Sequence, residues 1–222
     1  MAFTHALMGV VLCHVLIEEQ AKGNLKGLIL DLRNNPGGLL DQAIKITDRF
    51  VESGVIVSIE GRREDQHQKF YAHERGTLPS YPMVVLVNQG SAAGSEIVAG
   101  ALQDHKRAII LGTQTFGRGT IQTIYPLSGG SGLKLTTSVF FTPHGHKIEK
   151  KGISPDLTVT SKKANPGSDS PPSDHSKIIA DEDGKDIALR VATKILMRTT
   201  SGRFQDLMEA AREIGDLEQR GE

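Results

Sequence analysis

Two stretches of this chain repeat one pattern: an apolar run, a turn containing glycine, and a segment with helical periodicity. Gly27-Leu28-Ile29-Leu30-Asp31-Leu32 is short and branched, and Arg33-Asn34-Asn35-Pro36-Gly37-Gly38 ends it with turn formers. Beyond that turn, Leu39, Leu40, Ala43, Ile44, Thr47 and Phe50 recur at steps of three and four, and Ser53-Gly54 closes the segment. This is the signature of an amphipathic helix. Pro82-Met83-Val84-Val85-Leu86-Val87 is the second run, and Asn88-Gln89-Gly90 leads from it into a helix over residues 93–104. An uninterrupted apolar run suits a strand covered on both faces. The alternation therefore implies an α/β core.

The remaining segments fit around that core. Val55 to Glu60 and Gln68 to Ala72 read as strands joined through the charged turn GRREDQHQ, whose charges mark a solvated tip. Ala108 to Leu111 is a further short strand, and Thr120 to Leu127 with Leu133 to Phe141 form a hairpin through Ser128-Gly129-Gly130-Ser131-Gly132. Residues 161–176, SKKANPGSDSPPSDHS, hold three prolines among small polar residues and are expected to be a linker that ends the core. Asp186 to Leu196 and Phe204 to Ile214 carry helical periodicity, broken at Ser201-Gly202, and are expected to pack on the core or on a partner. Near the N-terminus, the apolar stretch from Ala6 to Ile17 lacks a cationic start and falls short of the ~20 residues that span a bilayer. A buried helix or strand is its expected state, with a degraded or truncated leader as the alternative.

Composition excludes several function classes. A chain of 222 residues is long enough to bury a real core. Lys and Arg number 26 and Asp and Glu also 26, so no net field favours nucleic acid or an anionic membrane. A single cysteine, Cys13, rules out an intramolecular disulfide framework and a cysteine-rich metal site. No phosphate loop of the GxxxxGK[ST] form occurs, and His144 and His146 in TPHGHK are expected in a solvated turn. No metal or other cofactor is expected.

Three elements bear on chemistry. The second strand-turn-helix sets Ser91 to Ser95 at a helix N-terminus, where unpaired N–H groups and the dipole favour an oxyanion. The loop Asn35-Pro36-Gly37-Gly38 can bring a bare backbone N–H close to a substrate carbonyl, because glycine has no Cβ. Thr115-Phe116-Gly117-Arg118-Gly119-Thr120 places one long basic side chain between two glycines, which again permits close approach.

With the stretches GNLKGLILDLRNNPGGLLDQAIKITDRFVESG, GSAAGSEIVAGALQDHKRAIILGTQTFGRGTIQT and KGISPDLTV in that order, the chain resembles the carboxyl-terminal processing (tail-specific) serine proteases, peptidase family S41. The resemblance covers about Gly23 to Val159. It implies a ClpP/crotonase-like α/β core of ββα units with C-terminal helices. The corresponding division is an atypical or truncated N-terminal segment at 1–22, a protease-like core at 23–160, the linker at 161–176 and a C-terminal helical segment at 177–222. The family also implies proteolysis by a Ser-Lys dyad assisted by Gln, polypeptide C-terminal regions as substrates presented by a PDZ domain, and a periplasmic or extracytoplasmic location.

Carried over residue by residue, the resemblance breaks at the reactive positions. The family's S-A-S-A-S-E-I reads here Ser91-Ala92-Ala93-Gly94-Ser95-Glu96-Ile97, so the nucleophile position is Ala93. The base position falls on Arg118, and the assisting glutamine is retained as Gln122. A methyl group cannot attack a carbonyl. Arginine, with a pKa above ~12, stays protonated where a desolvated lysine can be neutral. A charged Arg118 could still bind a peptide carboxylate or carbonyl. Ser91 and Ser95 lie two residues either side of Ala93, which turns their hydroxyls to other faces, and both are expected to act as caps. The oxyanion donors, Gly37 or Gly38 with the N–H of Gly94, are retained.

The expectation is a serine endopeptidase by descent that is inactive as written. The alternative is a pseudoprotease acting as a peptide-binding or assembly module, possible as an oligomer. A third reading, an acyl-CoA enzyme of the crotonase type, calls for a carboxylate near the paired N–H groups and an adenine-binding loop, and neither is identifiable.

Overall fold

A computed structural model of the chain describes residues 25–161, 177–180, 186–199 and 201–220. The first repeat gives β1 (Leu28–Asp31) and α1 (Leu40–Asp48), followed by β2 (Gly54–Gly61) and β3 (Gln68–Ala72). The second gives β4 (Met83–Val87) and α2 (Gly94–Asp104), followed by β5 (Ile109–Gly112), β6 (Thr120–Pro126) and β7 (Gly132–Phe141). Strands β8 (Leu157–Ser161) and β9 (Lys177–Ala180) precede helices α3 (Ile187–Arg198) and α4 (Phe204–Arg220).

Five strands form one sheet in the order β1-β4-β5-β8-β9, and every pairing in it is parallel. Four strands form an antiparallel sheet in the order β3-β2-β7-β6. β4 is buried along its whole length, as its unbroken apolar run requires. Its alternate side chains enter different cores. Met83, Val85 and Val87 pack with α1, α2 and the antiparallel sheet, whereas Val84 and Leu86 pack with α3 and α4. Helix α2 lies largely inside, with Gly94 to Leu102 all buried.

The C-terminal helices thus cover the parallel sheet of their own chain, through Val191, Ile195, Leu207, Ala211 and Ile214. An ion pair reinforces the docking: Arg33, just after β1, lies 2.6 Å from Asp31 and 2.7 Å from Asp186. Asp186 also caps α3 by accepting the Leu189 N–H at 3.0 Å. Helix α4 extends past Ile214 to Arg220.

Two expectations change. The segment from residue 177 does not begin as a helix: Lys177–Ala180 is a strand that pairs in parallel with β8, so the parallel sheet continues beyond residue 160. Leu39 sits at the N-cap of α1 and is 64% exposed rather than on its buried face. The expected N-terminal segment 1–22 lies outside the described residues, as does nearly all of the 161–176 linker.

Candidate active site

β1 and β4 are neighbouring parallel strands, so the turns that follow them meet at the carboxyl edge of the sheet, the side on which α/β proteins build their sites. Asn88 locks the two turns together. Its Oδ1 accepts the N–H groups of Asn34 and Gly90, each at 2.9 Å, and its Nδ2 donates to Asn34 Oδ1 at 3.1 Å. Asn35 O accepts from the Ala92 N–H at 3.0 Å and from the Ser95 hydroxyl at 3.0 Å. Ser91, fully buried, donates to Leu32 O at 2.8 Å and accepts the Asn88 N–H at 3.0 Å. Neither serine caps α2 as expected. Both hydroxyls reach across to the β1 turn instead.

Ala93 stands between them as the N-cap of α2, with φ 50° and ψ −111°. That is a conformation an L side chain resists. Gly37 faces it closely: a Cβ at Gly37, whose φ is +88°, would lie 2.6 Å from Ala92 O and Gly94 N and 3.0 Å from the Ala93 methyl. The Gly37 N–H is already committed, donating to Asn35 Oδ1 at 3.0 Å. Gly38 and Gly94 differ. Neither backbone N–H has an acceptor among the described residues. The two are adjacent, since a Cβ at Gly94 would lie 3.3 Å from Gly38 N, and the open side of Gly38 meets nothing within 4 Å.

A buried carboxylate joins this region to the loop carrying Arg118. Glu96 is 0% exposed, and its carboxylate accepts four hydrogen bonds. Oε2 accepts the N–H groups of Ala93 at 2.9 Å and Arg118 at 2.8 Å. Oε1 accepts the Gly117 N–H at 2.7 Å and the Thr115 hydroxyl at 2.5 Å. The backbones at positions 93 and 118 therefore share one oxygen as acceptor.

The glycines flanking Arg118 make room for the chain itself, not for a substrate. A Cβ at Gly119 would collide with the Glu149 backbone, and one at Gly117 would lie 3.0 Å from Lys150 C. Lys150 N donates to Gly117 O at 2.8 Å, and Gly119 N donates to Glu149 Oε2 at 2.9 Å. The Arg118 side chain is exposed, with its guanidinium carbon 5.2 Å from the centre of the Phe116 ring, which is itself 62% exposed. That contact is a cation–π pair. No carboxylate pairs with Arg118 among the described residues. Gln122 is exposed on β6 opposite Thr136, and no hydrogen bond joins its side chain to the other site residues. His144 and His146 lie in their turn with Nδ1 atoms 3.4 and 3.9 Å from Asp104 Oδ1.

Residues 13–159 match the family model described as Peptidase family S41. The chain belongs to this family. A carboxy-terminal-processing protease from Bartonella bacilliformis is 54% identical over 135 residues, which cover 61% of this chain and 31% of the relative. A carboxyl-terminal-processing protease from Synechocystis sp. is 45% identical over 146 residues, covering 66% of this chain and 34% of the relative. Among solved structures, a photosystem II D1 C-terminal processing protease aligns with TM-score 0.63 at 39% identity, over 67% of this chain and 38% of that one. The chain spans about a third of the length of the curated relatives it matches. The structural likeness bears out the ClpP/crotonase-like α/β class that the motifs implied.

In this family S41 chain, sequence reasoning named Gly37, Gly38, Ala93, Gly94, Arg118 and Gln122 but gave no role to Glu96, Asn35 or Asn88. Glu96 carried a usable signal. A glutamate three residues past a helix N-cap is the reciprocal half of a capping box, whose carboxylate reaches back to the N-cap N–H. Its contacts to residues 115, 117 and 118 had no such local sign.

Proposed function

We propose that this chain is a family S41 peptidase domain that retains a pocket for a peptide carbonyl and has lost the means to cleave the bond. Its ligand is an extended polypeptide, in keeping with relatives named for C-terminal processing. The observation that carries the reading is the pair of acceptor-free N–H groups of Gly38 and Gly94 beside the Ala93 methyl. Two such donors stabilise a carbonyl oxygen as it takes on negative charge. In the intact dyad a serine hydroxyl attacks the carbonyl carbon while a neutral lysine amine takes the hydroxyl proton. Ala93 offers no hydroxyl. Arg118 offers no lone pair, because its guanidinium stays protonated and donates only. What remains is binding: the carbonyl accepts from Gly38 and Gly94, and the exposed Arg118 offers a cation to a carboxylate.

The double reversion Ala93→Ser with Arg118→Lys tests this reading, assayed on casein and on a peptide ending in a free carboxylate. The unmodified chain is expected to bind the peptide without turnover and the double revertant to hydrolyse it. Cleavage by the unmodified chain, or a double revertant without activity, would overturn the proposal.

A further inference from the structure

We infer that Glu96 is the positioning residue of this site: its buried carboxylate, rather than the side chains at 93 and 118, sets the register between the nucleophile and base positions. The inference arises from the division of its two oxygens. Oε2 takes the backbone N–H groups of Ala93 and Arg118, one from each position, at 2.9 and 2.8 Å. Oε1 takes Gly117 N and Thr115 Oγ1, the two preceding anchors of the same loop, at 2.7 and 2.5 Å. Thr115 Oγ1 in turn accepts the Ile153 N–H at 2.7 Å, which extends the network to the strand-proximal loop behind.

The energetic logic favours this assignment. Charge-assisted hydrogen bonds are the strong ones, and a buried carboxylate with four donors has no competing water. Ala93 has φ 50° and ψ −111°, which an isolated helix start would not hold. The Glu96 Oε2 bond to its N–H is the one hydrogen bond that Ala93 donates among the described residues. A glutamine at 96 would turn an NH2 group toward N–H donors and leave at least one side of the network without an acceptor. Because every contact is to backbone or to Thr115, the register survives replacement of the side chains at 93 and 118. The loss of serine and lysine thus leaves the scaffold ready for both.

The catalytic consequence rests on the proposed reading of positions 93 and 118, whereas the register itself does not, and the test separates them. Amide hydrogen exchange is measured on the unmodified chain and on Glu96→Gln. In the unmodified chain, the amides of Ala93, Gly117 and Arg118 are expected to exchange as one class, at least about tenfold more slowly than the acceptor-free amides of Gly38 and Gly94. In Glu96→Gln all three are expected to lose at least about tenfold of protection together, while Val98 to Leu102 keep theirs. Three unrelated rates in the unmodified chain, or unchanged protection in the variant, would overturn the inference; the first measurement decides even if the variant does not fold. In the Ala93→Ser, Arg118→Lys background, Glu96→Gln is expected to lower kcat by on the order of a hundredfold with KM within about twofold, the mark of misplaced groups rather than lost binding. A revertant without activity would sink the functional proposal and leave the exchange result to judge Glu96 alone.

Discussion

Ala93→Gly separates backbone conformation from every hydrogen bond around it, because glycine keeps the N–H that Glu96 accepts and removes only the methyl. Ala93 has φ 50° and ψ −111°, outside the wells open to L side chains. A residue held in such a region stores roughly 1–3 kcal/mol. Glycine relieves that strain but adds freedom to the unfolded chain, a loss of about 0.4–1 kcal/mol. The methyl itself is only half-buried at this position, so little packing goes with it. The net expectation is a gain of about 1 kcal/mol, or a rise of about 2–4 °C in Tm for a chain of this size. Urea titration followed by circular dichroism should show a higher midpoint with an unchanged m-value. A variant less stable than the parent by about 1 kcal/mol, at equal m, would refute the reasoning, because it would mean that no strain is stored at position 93. The parallel variant Ala93→Val should fall in the opposite direction, since a β-branched side chain tolerates positive φ worst.

Gly37→Ala places a Cβ 2.6 Å from Ala92 O and Gly94 N at φ +88°, so it should destabilise the fold by more than about 2 kcal/mol and abolish peptide binding, as read by denaturation and calorimetry. Retained binding would show that the Gly38 and Gly94 donors do not form the pocket. The Arg33 network gives a pH dependence with a defined sign. Burial alone would raise the Asp31 carboxyl, but the side-chain and backbone hydrogen bonds from Arg33 overcome it and leave Asp31 below its ordinary value of 3.8. The Arg33 hydrogen bond likewise holds Asp186 below that value. Both carboxyls are thus more acidic in the folded chain, so their contribution is present above the ordinary aspartate range and is lost as pH falls through it. Each pair is partly exposed, which limits its worth to about 1 kcal/mol or less. Arg33→Met should therefore lower Tm at pH 7, and its deficit should shrink toward pH 3; a deficit that grows on acidification would contradict the assignment.

Much of the fold was legible because it is written in neighbours along the chain. The apolar runs of β1 and β4, the three- and four-residue periodicity of α1 and the glycine-rich tip between β6 and β7 are local patterns, and local sterics and burial decide them. β9 was not legible, since four residues beyond a proline-rich stretch acquire strand character only by pairing with β8. The identity of the free donor was hidden too: Gly37 and Gly38 are alike in sequence, and only the Asn35 side chain, folded back onto Gly37 N, leaves Gly38 available.

The sequence by itself determined the family, the α/β class and the absence of a nucleophilic hydroxyl and a neutral base at positions 93 and 118. Tertiary structure alone decided that Glu96 joins those positions, that residues 148–152 rather than a ligand fill the space beside Gly117 and Gly119, and that Arg33 ties β1 to the start of α3. The physical reason is that periodicity and dihedral preference act over a few residues, whereas a buried polar group takes whichever partner the chain topology brings within about 3 Å.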